Sequence, residues 1–339
     1  MAANLPFLMS APHRIIGQGL AGTCLAWAFH DRGVPFEIVD RENGGSSRVA
    51  AGMINPVTGK NFQPSWRIAE FMPEAVDFYQ RLEVRLGGVF WHPLPVLRLA
   101  SSAADWDKIR GKLEDPEVSP WVAGEVPPPD DRWVAAVELK GGGRLDVPGF
   151  LQASREFFSA LGVYRQAEAD PASPEDARGI WCEGATGLIA GRPGQHRCAK
   201  GEILTLRADG WDEPHIRVAD GGWLIPLGDG IFKAGATYVW DVLDATPTEK
   251  GRRQVEEIAH RLAPGPFEVI GHDAGVRPIL RRSQPLIGPL GEGWFFNGLG
   301  SKGSLYAPGV ARRLAEWILD GVEPDPDLDL RRFLASVKH

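Results

Sequence analysis

The stretch that decides the fold is RIIGQGLAGTCLAWAFHDRGVPFEIVD, residues 14–40. Two β-branched residues open it and predict a strand, and apolar residues at helical spacing from Leu20 onward predict a helix. The second apolar run, FEIVD, predicts another strand that ends on Asp40. A strand, a glycine-containing turn, a helix and a second strand follow one another in dinucleotide-binding units. The sequence therefore predicts α/β structure with a dinucleotide site near its start.

The turn inside this stretch has the pattern G-x-G-x-x-G, with glycines at positions 17, 19 and 22. Gly17 permits a tight turn, Gly19 lets the backbone approach a pyrophosphate, and Gly22 lets helix and strand pack closely. The helix that starts there offers unpaired N–H groups to phosphates. Asp40 lies eighteen residues after Gly22 and is expected to bind ribose hydroxyls, which disfavours a 2′-phosphate. The motif alone does not separate FAD from NAD.

Composition limits the classes of partner and compartment. The 339 residues suggest two domains, and 43% hydrophobic with 24% charged residues argues against disorder. A net charge of -7 gives no overall attraction to nucleic acid, and no apolar run approaches the roughly 20 residues of a membrane span. The leader MAANLPFLMSAPHR is interpreted as a short tail. Three cysteines without CxxC spacing favour a reducing cytoplasm, and scattered histidines predict no metal site.

The middle of the chain is rich in predicted strands, and βα material lies on both sides of it. WVAAVELKGGGRLDV, residues 133–147, predicts a hairpin that turns on Gly141 to Gly143. TPTEKGRRQVEEIAHRLAPG predicts a helix with Thr246 as N-cap and Glu249 completing a capping box.

Three further stretches carry a resemblance to a known family: SSRVAAGMINPVTGK, AGVRPILRRSQPLIG and NGLGSKGSLYAP. Together with the glycine motif they resemble the D-amino-acid oxidase, glycine oxidase and sarcosine oxidase superfamily of FAD-dependent amine oxidoreductases. The resemblance spans nearly the whole chain in the same order. A related member is the FAD domain of a bifunctional enzyme that trims a modified wobble uridine in tRNA.

The resemblance implies a Rossmann-like FAD-binding domain with a second, mainly antiparallel β-sheet substrate domain. The FAD-binding domain would be discontinuous and comprise residues 10–60, 142–195 and 268–339, and the substrate domain residues 61–141 and 196–267. No cysteine follows Cys198, so the covalent-flavin cysteine of sarcosine oxidases is absent and noncovalent FAD is implied.

The segment after Asp40 would follow the pyrophosphate and the isoalloxazine ring, and Gly184 matches the family's second glycine turn. Arg48 is alternatively a solvated surface charge. The motif and the resemblance together imply these cofactor-binding residues: Gly17, Gly19, Leu20, Ala21, Gly22, Asp40, Arg41, Ser47, Arg48, Ala51, Gly52, Met53, Gly184, Gly298, Gly300, Ser301, Lys302, Gly303 and Ser304.

Three residues are implied at the reaction centre. Arg277 matches the family's arginine that binds the substrate carboxylate, because a planar guanidinium forms two parallel hydrogen bonds with a carboxylate. The alternative is that Arg277 forms a structural ion pair. Lys302 and the start of the helix after it would stabilise negative charge at flavin N1. The alternative is that Lys302 is a solvated loop lysine. Tyr238 would contact a carboxylate or amine, or it is a tyrosine on a sheet face.

The implied reaction oxidises a C–N bond of a small amine or amino acid. Hydride would pass to flavin N5, water would hydrolyse the imine, and O2 or another acceptor would take the electrons. The protein would act as a monomer or homodimer. Three alternatives stay open: an NAD-dependent dehydrogenase, a tRNA-modifying FAD oxidoreductase and a non-catalytic FAD-binding protein.

Overall fold

The computed structural model describes residues 12–42, 45–281 and 283–337, and residues 1–11 of the predicted tail lie outside the described residues. In chain order the strands are β1 (His13–Ile16), β2 (Phe36–Asp40), β3 (Met53–Ile54), β4 (Val57–Thr58), β5 (Gln63–Pro64), β6 (Trp91–Pro93), β7 (Val96–Ala100), β8 (Val122–Val126), β9 (Ala135–Leu139), β10 (Gly143–Leu145), β11 (Tyr164–Gln166), β12 (Ile180–Trp181), β13 (Ala199–Arg207), β14 (Ile216–Ala219), β15 (Gly222–Gly228), β16 (Ile231–Gly235), β17 (Glu268–Arg277), β18 (Leu286–Leu290) and β19 (Gly293–Asn297). The helices are α1 (Leu20–Asp31), α2 (Ser46–Val49), α3 (Ile68–Leu86), α4 (Ala103–Arg110), α5 (Val147–Ala160), α6 (Ala185–Ile189), α7 (Glu249–Leu262), α8 (Gly303–Asp320) and α9 (Leu330–Val337).

A six-stranded sheet contains both ends of the chain, in the order β11-β2-β1-β12-β19-β18. The first five strands of this order are parallel, and β18 is antiparallel to β19. The predicted strands and helix of residues 14–40 are β1, α1 and β2. Strand β1 has a parallel neighbour on each side. The glycine turn that follows β1 therefore lies at the carboxyl end of an interior strand and not beside an edge strand.

Helices α1, α3, α5 and α8 share one hydrophobic core with this sheet. Helix α1 is buried around most of its circumference, because it contacts both the sheet and α8. In its middle Trp27 is fully buried, and the indole Nε1 donates a hydrogen bond to Ser154 Oγ at 3.0 Å. The core therefore fixes the helix whose first turn belongs to the predicted cofactor site.

An eight-stranded sheet forms the second layer, in the order β17-β13-β16-β15-β14-β7-β9-β8. Neighbouring strands are antiparallel except β14 and β7. Strand β17 lies within residues that the sequence assigns to the FAD-binding domain, yet it pairs with β13 of this sheet. Helix α3 lies within residues assigned to the substrate domain, yet it shares the core of the six-stranded sheet. Secondary structure from both predicted domains thus meets in each layer.

The two layers approach each other at α2. Helix α7 covers one face of the eight-stranded sheet, and the opposite face of β17 and β16 meets α2. A Cβ on Gly275 would lie 2.7 Å from Val49 Cγ2, and Lys233 Nζ donates a hydrogen bond to Val49 O at 3.3 Å. This contact places the segment after Asp40 between the two sheets.

The predicted hairpin on Gly141 to Gly143 is wrong. Strand β9 pairs with β7 on one side and β8 on the other, so it has no free edge to accept β10. Strand β10 instead pairs with β3 and β6 in a separate three-stranded sheet. The glycines carry the chain from one sheet to another instead of reversing it.

The predicted N-cap of α7 is also wrong in its position. The N-cap is Thr248, whose Oγ1 accepts a hydrogen bond from Gly251 N at 3.0 Å, and Glu249 is the first helical residue. Thr246 lies before the helix, where its carbonyl accepts a hydrogen bond from Lys200. Among the described residues, no helix is long and apolar enough to cross a membrane.

Candidate cofactor and substrate site

Four of the predicted cofactor segments lie at one edge of the six-stranded sheet. Asp40 ends β2, Gly17 follows β1, Gly184 comes shortly after β12, and Gly298 follows β19. These strands are parallel neighbours in the order β2-β1-β12-β19, so their carboxyl ends share an edge. Open α/β sheets bind ligands at this edge. The four segments therefore line one continuous path along the sheet.

The turn between β1 and α1 requires two of its glycines for steric reasons. Gly17 has a φ of +104°, and a Cβ there would lie 2.6 Å from Cys182 O. A Cβ on Gly22 would lie 1.9 Å from Gly17 O. Any side chain at either position would collide with backbone, so the turn and the first turn of α1 are packed against each other. Gly19 is the N-cap of α1 and supplies no side-chain cap, which leaves the start of the helix open to an anion.

The Asp40 carboxylate organises this turn. Its Oδ2 accepts a hydrogen bond from Gln18 N at 2.6 Å, and its Oδ1 accepts one from Glu42 N at 2.7 Å. Arg48 Nη2 is 3.5 Å from the same Oδ1, so Arg48 is not simply a solvated charge. The adjacent Arg41 donates a hydrogen bond to Thr186 Oγ1, which lies on α6 just beyond Gly184. Asp40 thus joins the glycine turn to the segment that follows β2, and Arg41 joins that segment to the one that follows β12.

The segment after Asp40 returns to the start of α1. Ser47 Oγ accepts a hydrogen bond from Leu20 N at 3.3 Å, and a Cβ on Gly19 would be equally close to this oxygen. Gly52 has a φ of +71°, and a Cβ there would lie 1.8 Å from Leu145 O. The neighbours Ala51 and Met53 pack against a hydrophobic cluster beneath the eight-stranded sheet. The whole segment is thereby fixed between the two layers, as the predicted path along a flavin requires.

The C-terminal glycine loop ends at α8. Gly298 and Gly300 have φ values of +85° and +58°, and Gly303 begins the helix. A Cβ on Gly303 would lie 2.9 Å from Leu20 Cδ1, so this loop touches the start of α1. Ser304 accepts a hydrogen bond at its carbonyl from the Tyr79 hydroxyl at 2.9 Å. The starts of α1 and α8 therefore lie side by side at the same edge.

Lys302 in this loop is a buried cation bound by two hydroxyls. Its Nζ donates hydrogen bonds to Thr58 Oγ1 at 3.1 Å and to Ser65 Oγ at 3.0 Å. Burial lowers the pKa of Lys302 to about 8. Among the described residues no carboxylate lies within 4.0 Å of it, so the charge of Lys302 is available to a ligand. Lys302 is not a solvated loop lysine.

Arg277 ends β17 and lies against Tyr238. Its Cζ is 4.0 Å from the centroid of the Tyr238 ring, and Nη1 donates a hydrogen bond to Thr237 O at 3.1 Å. Burial lowers the pKa of the Arg277 guanidinium from its ordinary value, although an arginine still remains charged. No carboxylate of the described ranges lies within ion-pair distance of it, which removes the alternative of a structural ion pair there.

A cavity of about 390 Å³ opens beside these groups. Tyr238 lines it together with four residues of the glycine loop, and Arg277 is outside the lining but stacks on the Tyr238 ring. The complete lining is Trp66, Arg197, Tyr238, Trp240, Ile279, Ser283, Gln284, Leu299, Gly300, Ser301, Lys302 and Tyr306. The lining contains two basic residues and no acidic one, although the chain carries a net charge of -7. The cavity suits an anionic group.

Sequence reasoning missed several residues of this cavity. Trp240 lies two positions after Tyr238, so alternation along an extended segment was the available signal for it. Arg197 stacks on Trp240 with its Cζ 5.3 Å from the ring centroid, and no local pattern indicates that contact. Most predicted residues thus fall into two groups: one set along the edge of the six-stranded sheet, and Tyr238, Gly300, Ser301 and Lys302 at the cavity. Arg277 lies outside both groups, behind the Tyr238 ring.

The residues at the sheet edge fit an FAD. The glycine turn leaves no room for side chains, the uncapped start of α1 suits a pyrophosphate, and the edge continues through Gly184 to the loop at α8. At the far end of this path, Lys302 is a cation without a carboxylate partner among the described residues. FAD matches this order of groups, with its pyrophosphate at the start of α1 and its isoalloxazine ring toward Lys302.

Comparison with known proteins gives a family and a set of relatives. The sequence model of the family described as "DAO: FAD dependent oxidoreductase" matches residues 14–317. The tRNA 5-methylaminomethyl-2-thiouridine biosynthesis bifunctional protein MnmC of Marinobacter nauticus is 25% identical over 359 aligned positions, which cover 93% of this chain and 56% of that protein. The chain therefore spans about half the length of the curated relatives it matches.

Solved structures share the fold at lower identity. Iminodiacetate oxidase from Chelativorans sp. BNC1 has a TM-score of 0.75 and 21% identity, covering 92% of this chain and 95% of that one. Glycine oxidase from Bacillus cereus ATCC 14579 has a TM-score of 0.75 and 17% identity, covering 93% of this chain and 96% of that one. These similarities confirm the predicted fold class, with its Rossmann-like sheet and a second, mainly antiparallel sheet.

Proposed function

Since the chain belongs to the DAO family of FAD-dependent oxidoreductases, we propose that it oxidises the C–N bond of a small amine that carries a carboxylate. Family membership supplies the cofactor and the class of reaction, and the cavity beside Arg277 and Lys302 supports the chemical class of the substrate. An acid-free cavity in an acidic protein favours an anionic substrate over a simple alkylamine.

The proposed cofactor contacts follow the edge of the six-stranded sheet. Residues 17–22 and the start of α1 would bind the pyrophosphate of FAD, and Asp40 would accept hydrogen bonds from ribose hydroxyls. The 298–304 loop would bind the pyrimidine end of the isoalloxazine, where the Lys302 ammonium would stabilise negative charge. When bound, FAD supplies the two-electron acceptor, and the protein supplies binding, orientation and charge.

The observation that carries the proposal is the environment of Arg277. A guanidinium that is partly buried and stacked on Tyr238 lacks a carboxylate partner among the described residues. Desolvating such a charge is unfavourable unless a ligand compensates it, and a carboxylate does so with two parallel hydrogen bonds. The Thr237 carbonyl already orients one edge of the guanidinium. Arg277 would therefore fix the substrate carboxylate and with it the carbon that is oxidised.

Replacing Arg277 tests this assignment. In Arg277→Ala we expect FAD to stay bound, because the arginine lies in the other layer from the glycine turn, and KM for carboxylate amines to rise by about tenfold or more. Arg207→Ala, which removes an exposed arginine from β13 in the same sheet, is the matched control. A KM that is equal in Arg277→Ala and the control would exclude Arg277 from the substrate site.

The curated relatives favour a second candidate, in which the oxidised amine belongs to a modified nucleoside of tRNA. Its support is the 25% identity to a tRNA biosynthesis protein across 93% of this chain. The net charge of -7 opposes it, because binding to a phosphate backbone depends on neutralisation by basic residues.

Salt-dependent binding of tRNA distinguishes the two candidates. For the small-molecule function, tRNA should bind weakly at low salt and fail to reduce the bound flavin under anaerobic conditions. Tight, salt-sensitive binding together with bleaching of the flavin by tRNA that carries the modified nucleoside would establish the second function instead.

A further inference from the structure

The 237–246 segment, which joins β16 to α7, contributes two aromatic side chains to the cavity. Tyr238 and Trp240 are 50% and 49% exposed, and both line the cavity. Their ring centroids are 6.0 Å apart with an interplanar angle of 32°. Half-exposed aromatic rings have little packing of their own to hold them, so their position depends on what fixes the backbone of the segment.

Basic residues of the eight-stranded sheet and its flanks contact the beginning of this segment. Arg277 donates to Thr237 O and stacks on Tyr238, and Arg197 stacks on Trp240. Arg197 lines the cavity and Arg277 stacks on Tyr238, which lines it, so both arginines are expected to change partners when an anionic substrate binds. They are therefore poor candidates for the permanent attachment of the segment.

Lys200 contacts the segment at two places and is itself removed from solvent, with a side chain 2% exposed. Its backbone forms an isolated bridge with Val239: Lys200 N donates to Val239 O at 2.8 Å, and Val239 N donates to Lys200 O at 3.0 Å. Its ammonium donates to Asp244 Oδ1 at 2.7 Å and to Thr246 O. One residue thus fixes the segment between the two aromatic rings and again near its end.

We infer that Lys200 is a positioning residue, which holds the 237–246 segment so that Tyr238 and Trp240 contact the substrate. This inference rests on the proposed function, because it assigns Lys200 an effect on amine binding. Charge-assisted hydrogen bonds are about twice as strong as neutral ones, and the side chain of Lys200 makes one such bond to a carboxylate and one to a carbonyl. Lys200 does not contact the cavity, so it acts through the segment.

The end of the segment has a separate attachment, which lets Lys200 be tested without loss of the fold. Glu202 accepts hydrogen bonds from Thr248 N and from Thr248 Oγ1, each at 2.8 Å, so the start of α7 is fixed independently of Lys200. Asp244 is 54% exposed, so water replaces its partner when the ammonium is removed. Removing the ammonium therefore leaves no buried, uncompensated charge.

The test compares Lys200→Met with Lys250→Met, which removes an exposed lysine from the first turn of α7. In the FAD-loaded Lys200→Met enzyme, amides of residues 237–246 should exchange hydrogen faster, and KM for a carboxylate amine should rise by about fivefold with kcat changed much less. The flavin absorbance should stay that of the wild type. Lys250→Met should match the wild type in all three measurements.

Asp244→Asn, which weakens the same ion pair from the exposed side, decides the outcome if Lys200→Met does not fold. Asp244→Asn should also raise KM for a carboxylate amine. Where Lys200→Met folds, adding Asp244→Asn to it should not raise KM further. Unchanged exchange and unchanged KM in these variants would overturn the inference. If the wild type oxidises no carboxylate amine, the proposed function fails, while the exchange measurement still decides whether Lys200 holds the segment.

Discussion

Gly201 shows how one backbone position controls the proposed carboxylate site. A Cβ at this position would lie 2.1 Å from Nη2 and 2.3 Å from Cζ of Arg277, so the guanidinium lies directly over the glycine. The colliding atoms are the far end of a flexible side chain. A methyl group at position 201 is therefore expected to move Arg277 rather than to unfold the sheet.

The variant Gly201→Ala should raise KM for carboxylate amines by about threefold to tenfold while FAD stays bound, because the clamp is displaced and not removed. Steady-state kinetics with an amine and its decarboxylated analogue measure the effect, which should appear only for the carboxylate. In the Arg277→Ala background the glycine substitution should have no further effect on KM. An equal effect in both backgrounds would mean that Gly201 acts on the sheet and not on Arg277.

Lys302 predicts a pH dependence. Burial disfavours the charged form and lowers its pKa to about 8, so the ammonium is present below that pH and is lost as pH rises through it. If its charge assists the reaction, the wild-type kcat/KM should fall above pH 8, and Lys302→Met should lack this decrease. Profiles from pH 6 to 10 with both proteins measure it. The same decrease in Lys302→Met would assign the titration to another group.

Residues whose role depends on local geometry could be predicted from the sequence, and residues whose role depends on distant partners could not. The glycine spacing alone predicts the turn at 17–22, and the close approach of Gly22 to Gly17 O is local to that spacing. The close approach of Gly17 to Cys182 O comes from a distant segment, and the spacing does not reveal it. Lys200 binds Asp244 across 44 positions, and no local pattern marks it. The roles of Asp40, Arg277 and Tyr238 in binding ligands stay predictions.

The start of α7 illustrates the same limit for an element. The capping pattern predicted Thr246 as the N-cap, whereas the structure has Thr248 there, which donates two hydrogen bonds to Glu202, a buried carboxylate on β13. The glycines at 141–143 likewise suggested a hairpin, and only the occupied edges of β9 show why none forms. Tertiary contacts thus decided two features that local patterns predicted wrongly.

A pair of threonine substitutions tests the helix start. Thr248→Ala removes the N-cap and a partner of buried Glu202, so it should lower the free energy of unfolding by about 1 to 2 kcal/mol. Thr246→Ala should change it by about 0.5 kcal/mol or less, because only the backbone carbonyl of Thr246 is bound by Lys200. Urea unfolding of both variants measures the difference. Equal losses would contradict the assignment of Thr248 as the N-cap.

For the molecule as a whole, the order of elements predicted α/β structure, and the family resemblance implied the two-sheet fold class that the comparisons confirm. The division into residues 10–60, 142–195 and 268–339 against 61–141 and 196–267 stays a proposal. Strand β17 and helix α3 show why boundaries are hard to derive: each belongs by sequence to one proposed domain and packs with elements of the other. In such an interleaved chain Arg277 stacks on Tyr238, and Tyr238 lines the same cavity as Lys302 of the other layer.

The function proposed for this site is the oxidation of an amine that carries a carboxylate. The most direct test mixes the purified FAD-loaded protein anaerobically with a panel of D-amino acids and N-methyl amino acids, each paired with its decarboxylated amine, and follows the absorbance of oxidised flavin. We expect at least one carboxylate amine to bleach the flavin and its decarboxylated partner to do so far more slowly. An intact FAD spectrum that no amine in the panel bleaches would contradict the proposed function.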